Sequence, residues 1–251
     1  MASKPVRSRL NWANILWLAL AYTAIALLWE TPFVYPLRIL VVFLHEISHG
    51  LMAVITGGRI VELQVYAQEG GHCITDGGNR FLILSAGYLG SLIFGAGILL
   101  TATRSRFPPL VAASLGLLLV YVSAAYVPVA DNPFGKFFGI AVGGALAYLA
   151  LLPIAWSRSA LLIIGLTSCL YAIVDIKADI LDRSDVLSDA SALAADTGLP
   201  AEAWGLLWIV ISGVVTCLVV RWSVVKDPNA ERNAKSPPVS SPPSRRGRKT
   251  S

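Results

Sequence analysis

Apolar positions in this chain fall in long blocks rather than in strict alternation. Seven blocks can be marked, at about residues 12–29, 35–55, 81–103, 108–130, 137–156, 160–174 and 204–222. Most reach the roughly 20 residues that a helix needs to cross bilayer hydrocarbon, and the sixth is short unless it continues past Asp175. Helices are the expected form, because backbone N–H and C=O groups in lipid must be satisfied within the segment. The pattern therefore predicts an all-α polytopic transmembrane helix bundle of six or seven spans. It divides the chain into a basic tail (1–10), a single transmembrane domain (11–225) and a tail rich in Pro, Ser and Arg (226–251) that is expected to be disordered.

Two connections interrupt the blocks with recognisable chemistry. Residues 57–80 are rich in glycine and β-formers: Arg59 to Tyr66 read as one strand, Gly70-Gly71 as a break, and His72-Cys73-Ile74-Thr75 as a second strand. That is a short, membrane-associated β-hairpin. Residues 175–202 carry seven of the fifteen acidic residues, namely Asp175, Asp179, Asp182, Asp185, Asp189, Asp196 and Glu202.

Composition narrows the class. Of 251 residues, 55% are hydrophobic and only 14% charged, and the mean hydropathy is +0.66. Soluble domains carry about 25% charged residues, so a soluble globular enzyme and a disordered chain are both excluded. Three isolated cysteines, Cys73, Cys169 and Cys217, make no disulfide scaffold. The formal net charge of +5 sits mostly at the ends and between blocks, so the expected partner is the lipid bilayer and not nucleic acid. Lys4, Arg7 and Arg9 precede the first block, and Ala19-Leu20-Ala21 imitates a signal-peptide cleavage site. The apolar run continues unbroken to Leu28, so an uncleaved first span is expected. Both tails are basic, which asks for an even number of spans where seven blocks are counted, so charge does not choose the orientation. The expected location is a multi-pass position in the plasma membrane.

The second block is polar in its middle. Phe43-Leu44-His45-Glu46-Ile47-Ser48-His49-Gly50 contains His-Glu-x-x-His. On a helix, positions i and i+4 share a face, so His45 and His49 can direct two imidazoles at one metal ion. Glu46 stands beside them, where it can take a proton from metal-bound water. Zinc suits this ligand chemistry, one ion per chain. The plain alternative is a pair of interior histidines bonded to neighbouring helices, with Glu46 paired to Arg38. Ionisable residues inside a span are costly, which favours the functional reading. A third protein ligand is needed. Asp131 follows the fourth block, Asp175 ends the sixth with Asp179 one turn later, and Asp189 qualifies if its loop folds back. By parity the second, fourth and sixth spans run the same way, so Asp131 and Asp175 lie at the face toward which the motif helix runs. His72, in the hairpin, is a weaker candidate.

The sequence of these motifs resembles a known family. His45-Glu46-Ile47-Ser48-His49-Gly50, Thr56-Gly57-Gly58-Arg59, the Gly-rich hairpin and Ser85-Ala86-Gly87-Tyr88-Leu89-Gly90 are similar to the site-2 protease family of intramembrane zinc metallopeptidases, in its short B-type branch without a PDZ domain. Val174-Asp175 with Asp179, Ser188-Asp189-Ala190, Thr197-Gly198-Leu199-Pro200 and Trp204-Gly205-Leu206-Leu207-Trp208 extend the resemblance over residues 35–222. It implies a zinc-dependent endopeptidase acting on a transmembrane protein substrate, with His45 and His49 as zinc ligands and Glu46 as general base. The family's usual third ligand is the aspartate of a Leu-Asp-Gly motif, which does not occur here. Asp175 is the best substitute, with Asp179, Asp131 and Asp189 behind it. The hairpin around 61–66 offers a strand edge for an extended substrate, and Ser48, Asn79 and Ser85 are candidates for a polar cavity lining. The rival readings are a catalytically silent scaffold or chaperone, which would lack a third ligand near the histidines, and a metal-binding transporter, which would spread ligands along a pore.

Overall fold

Proline and capping residues set most of the helix starts. Pro at the first turn opens α2 (Tyr35–Ile55), α4 (Pro108–Tyr126) and α5 (Pro133–Leu149), where its missing N–H costs nothing. Asn79 caps α3 (Arg80–Arg104) by accepting from the Leu82 N–H, and Asn132 caps α5 by accepting from the Gly135 N–H. The computed structural model describes residues 12–130, 132–177 and 188–225. Among these, α1 (Trp12–Leu27), α6 (Ile154–Lys177), α7 (Asp189–Thr197) and α8 (Ala201–Val224) complete eight helices. A two-stranded sheet of β1 (Arg59–Val65) and β2 (Gly71–Asp76) follows α2.

Seven of the helices are apolar, as the blocks predict. Five of them, α2, α3, α4, α6 and α8, are long and apolar enough to cross a membrane, while the described part of α1 and the whole of α5 are shorter. The sixth block is the one most altered. Its helix begins at Ile154 and runs through Asp175 to Lys177, because Pro153 ends the fifth element before Trp156. One element has no counterpart in the sequence reading: the nine-residue α7, in the acidic connection.

The motif helix lies at the centre of the bundle. Ile39, Leu40, Val41, Val42, Phe43 and Leu44 of α2 are all at most 5% exposed and pack with Leu115 and Leu119 of α4, Leu146 of α5 and Leu161 and Ile164 of α6. The other helices approach through small residues. A Cβ on Gly165 of α6 would sit 2.7 Å from the backbone N of Leu99 in α3, and one on Gly143 of α5 would sit 2.6 Å from the Gly116 carbonyl of α4. Close backbone approach gives these helices packing that lipid tails cannot supply.

The hairpin is antiparallel, pairing Arg59 with Asp76 and Val65 with Gly71, with a bulge between Ile60 and Glu62. It folds back along α2, and its contacts retreat turn by turn. A Cβ on Gly50 would meet Ile60, Gly71 lies against Glu46, and the Arg38 guanidinium pairs with Glu69 at 2.9 Å. At the tip, the Tyr35 hydroxyl donates to the Ala67 carbonyl at 2.8 Å. The outer side of β1 is closed at Val65, whose carbonyl accepts from Asn132 Nδ2 at 2.7 Å. Non-helical backbone beside membrane helices is tolerable only where it is buried in protein or borders a water-filled cavity. This hairpin does both.

The glycine contacts give a matched pair of substitutions in thermal unfolding of the protein in detergent. Gly165→Val drives a side chain into the α3 backbone and is expected to destabilise the bundle by about 1–3 kcal/mol or more. Gly97, on α3, has nothing within 4 Å of an added Cβ. Gly97→Ala is therefore expected to be neutral, or stabilising by up to roughly 1 kcal/mol through helix propensity.

Candidate metal centre

Residues His45, Glu46 and His49 occupy two turns of α2 that face the hairpin and α3. Glu46 and His49 are buried, at 4% and 6% exposed, and His45 nearly so. The i and i+4 spacing works as the sequence predicts: the two imidazoles lie 4.8 Å apart between ring centroids, edge to face. Their Nε2 atoms point at the same carboxylate oxygen. Asp189 Oδ2 is 3.1 Å from His45 Nε2 and 3.2 Å from His49 Nε2.

Asp189 is the first residue of α7. Ser188 caps that helix by accepting from the Ser191 N–H, the Ser191 hydroxyl returns to the Ser188 backbone, and Gly198 in the left-handed region ends it. The connection folds back, and the carboxylate is thereby held between the imidazoles with its side chain only 16% exposed. Burial pushes the Asp189 carboxyl up, but the charge of His49 and the hydrogen bonds of both imidazoles outweigh it and hold the group well below the usual carboxylate range. It is ionised at neutral pH.

The tautomer of His49 is fixed by its surroundings. Its Nδ1 lies 2.7 Å from the Ile83 carbonyl, which can only accept, so Nδ1 carries the proton. Its Nε2 faces the same ionised oxygen 3.2 Å away. That spacing holds with something positive between the two atoms, an imidazolium proton or a metal ion. Zinc bonds of about 2.0–2.1 Å at tetrahedral angles put neighbouring ligand atoms roughly 3.3–3.4 Å apart, close to both separations seen here. His45, His49 and Asp189 each offer one ligand atom, and the three atoms all lie within 4.8 Å of one another. The donor set therefore fits zinc, with the Ile83 carbonyl in the orienting role that backbone acceptors commonly play behind a metal-bound histidine.

Two glycines make room for this arrangement. A Cβ on Gly87 of α3 would collide with His45 Nε2 and would lie 2.6 Å from Cε1 of both imidazoles. A Cβ on Gly71 of β2 would lie 2.6 Å from Glu46 Oε1. In front of the site is a cavity of about 750 Å³, bordered by α2, α3, α7, the end of α6 and residues 69–75 of the hairpin.

The other expected residues are placed as follows. Asp175, the best substitute by sequence, lines this cavity near the end of α6 but is outside the three-residue group. The reason is topological: α6 delivers Asp175 to the cavity wall, whereas α7 turns Asp189 inward between the histidines. Asp131 and Asp179 lie outside the described residues. His72 borders the cavity from β2, near Tyr66, and is also outside the group. Arg38 pairs with Glu69 and Glu30 rather than with Glu46. Ser48, Asn79 and Ser85 bond to Leu44, Leu82 and Phe81 of their own helices and do not line the cavity. Cys73 does line it. Burial and then the Glu46 charge push its thiol up to about 12, so it is protonated at neutral pH and stands apart from the ligand group. The signal for Asp189 in the sequence was slight, a Ser-Asp-Ala-Ser start and a Gly198 stop around nine mostly small or polar residues.

Comparison with known proteins adds one match. No curated protein and no solved structure matches the chain. A family model does, described as Peptidase M50B-like, over residues 18–219, which include the motif helix, the hairpin and α7. With its five long apolar helices, the chain is an integral membrane protein that belongs to the Peptidase M50B-like family, within the site-2 proteases.

Proposed function

We propose that this protein is a zinc-dependent intramembrane endopeptidase that hydrolyses peptide bonds of membrane-embedded or membrane-associated proteins. The observation that carries the reading is the convergence of His45, His49 and Asp189 on one point beside the buried carboxylate of Glu46. A silent scaffold has no need of a third ligand there. A transporter would distribute its ligands along a path, and among the described residues they form one group.

His45, His49 and Asp189 are the residues that would hold the ion. Zinc in such a site acts as a Lewis acid and lowers the pKa of water toward about 7. The chain supplies the rest. Glu46 accepts the proton of the attacking water and returns it to the departing amine. The cavity admits water to a site otherwise enclosed by apolar helices. An extended substrate is needed, because a helix hides its carbonyls in its own hydrogen bonds. The strand edge suited to hold it is that of β2 rather than β1. Residues 70–75 border the cavity, β2 pairs only with β1 among the described residues, and the β1 side is closed at Val65 by Asn132. Addition of a substrate strand to β2 would pass the scissile bond across Gly71, directly over Glu46.

Four substitutions test the reading, each measured as cleavage of a labelled single-span substrate in proteoliposomes and as zinc retained by the purified protein. Glu46→Gln is expected to keep zinc and to lose about 10²–10⁴-fold in cleavage rate, and wild-type-like cleavage would sink the mechanism. Asp189→Ala is expected to lose more zinc affinity than the roughly 10–100-fold typical of residues that merely orient a ligand, while Asp175→Asn stays within about tenfold of wild type. The reverse ranking would return the third position to Asp175. Gly87→Ala, which touches no donor atom covalently, is expected to cost both zinc and activity by displacing the two imidazoles.

A further inference from the structure

The two halves of the metal-capable group come from separate elements. His45 and His49 ride on α2, the most buried helix, whereas Asp189 rides on α7, nine residues long. A helix that short is not stable by itself, so its position depends on what it packs against. The packing is confined to one face. Ala190 and Leu193, at 1% and 0% exposed, enter a cluster with Ile176 of α6, Trp208 of α8 and Tyr88 of α3. Leu193 is one turn beyond Asp189, so seating Leu193 also sets where the carboxylate points.

Tyr88 belongs to both halves. Its ring, 2% exposed, lies edge to face with the His45 imidazole at 4.7 Å between centroids and 85° between planes. It also packs on Trp208, 5.1 Å between centroids at 37°. Ring contacts thus run from His45 through Tyr88 to Trp208, and Leu193 of α7 shares the buried cluster of both aromatics. His49 has its own orienting partner in the Ile83 carbonyl; for His45 the wall is an aromatic ring.

We propose that Tyr88 is a positioning residue whose ring couples the orientation of His45 to the docking of α7, so that the metal site is complete only when α7 is seated against Tyr88 and Trp208. This rests on the metal reading above. By linkage, whatever loosens α7 weakens metal binding, and metal binding tightens α7 to the same degree.

The test uses the full-length protein in detergent, zinc titration, and amide hydrogen exchange in α7 with and without zinc. Tyr88→Leu keeps apolar bulk but removes the flat ring, and Leu193→Ala removes the anchor of α7 without touching any ligand. Each is expected to lower zinc affinity by about 10–100-fold, the range usual for residues that orient metal ligands, with helicity unchanged by circular dichroism. Tyr88→Phe keeps the ring and is expected to bind zinc within about threefold of wild type. Zinc is expected to slow exchange in α7 of the wild type, and less so in Tyr88→Leu. The proposal is overturned if Tyr88→Leu and Leu193→Ala bind zinc like the wild type, or if Tyr88→Phe loses as much as Tyr88→Leu, which would assign the effect to the hydroxyl. A wild type that binds no zinc removes the metal reading instead. Exchange in the metal-free proteins then still decides the docking: faster α7 exchange in Tyr88→Leu supports the contact with α7, and equal exchange overturns it.

Discussion

An ionised carboxylate oxygen 3.1–3.2 Å from two imidazole nitrogens, inside a bundle of apolar helices, is the constraint on which the rest of this structure depends. Such a group is expensive to bury and is tolerated only when opposite charges meet and their remaining hydrogen-bonding atoms are satisfied. The chain meets both requirements locally. The imidazoles face the carboxylate, and His49 spends its other nitrogen on the Ile83 carbonyl at the first turn of α3. What remains is a set of donor atoms aimed at a single point, the condition for holding a cation.

The surrounding architecture follows from keeping that point both accessible and dry on most sides. The α3 helix must come close enough to offer the Ile83 carbonyl, and it can do so only because position 87 has no side chain to strike the imidazoles. The hairpin must come close enough to bring a strand edge to Glu46, and it does so at Gly71. Its own backbone is then at risk, since an unpaired strand beside membrane helices leaves polar groups unsatisfied. Pairing with β2 satisfies one side of β1, and Asn132 closes the other at Val65. The open side of β2 faces the cavity, where water or an extended peptide can take its hydrogen bonds. An arrangement that would be a defect elsewhere here leaves a strand edge open to the cavity.

Legibility from sequence followed the range of the interaction involved. The spans, the hairpin with its Gly70-Gly71 break, and the His45-Glu46-His49 constellation all depend on spacing within about twenty residues, and each was readable. Helix ends were less so. Pro153 placed the start of α6 earlier than hydropathy alone suggested, and α6 runs on to Lys177, with Asp175 at the cavity wall and Lys177 exposed. The short α7 escaped notice because nine small and polar residues carry little periodicity. Its helical form depends on Leu193 and Ala190 finding a pocket built from three other helices.

The sequence by itself determined that this is a helical membrane protein, that its scarce charge enters one span at Glu46, and that two histidines on the same face stand ready for a metal. These are properties of composition and of the helical repeat, which no tertiary context is needed to express. Only the tertiary structure decided which carboxylate meets the two histidines. Asp175 and Asp189 are both acidic, both late in the chain and both at the cavity, and no local rule separates them. What separates them is that Asp175 ends a long helix packed along α3, while Asp189 begins a short one that the cluster of Tyr88, Ile176 and Trp208 turns inward. A carboxylate that arrives from more than 140 positions away is selected by packing, and packing is a property of the whole fold.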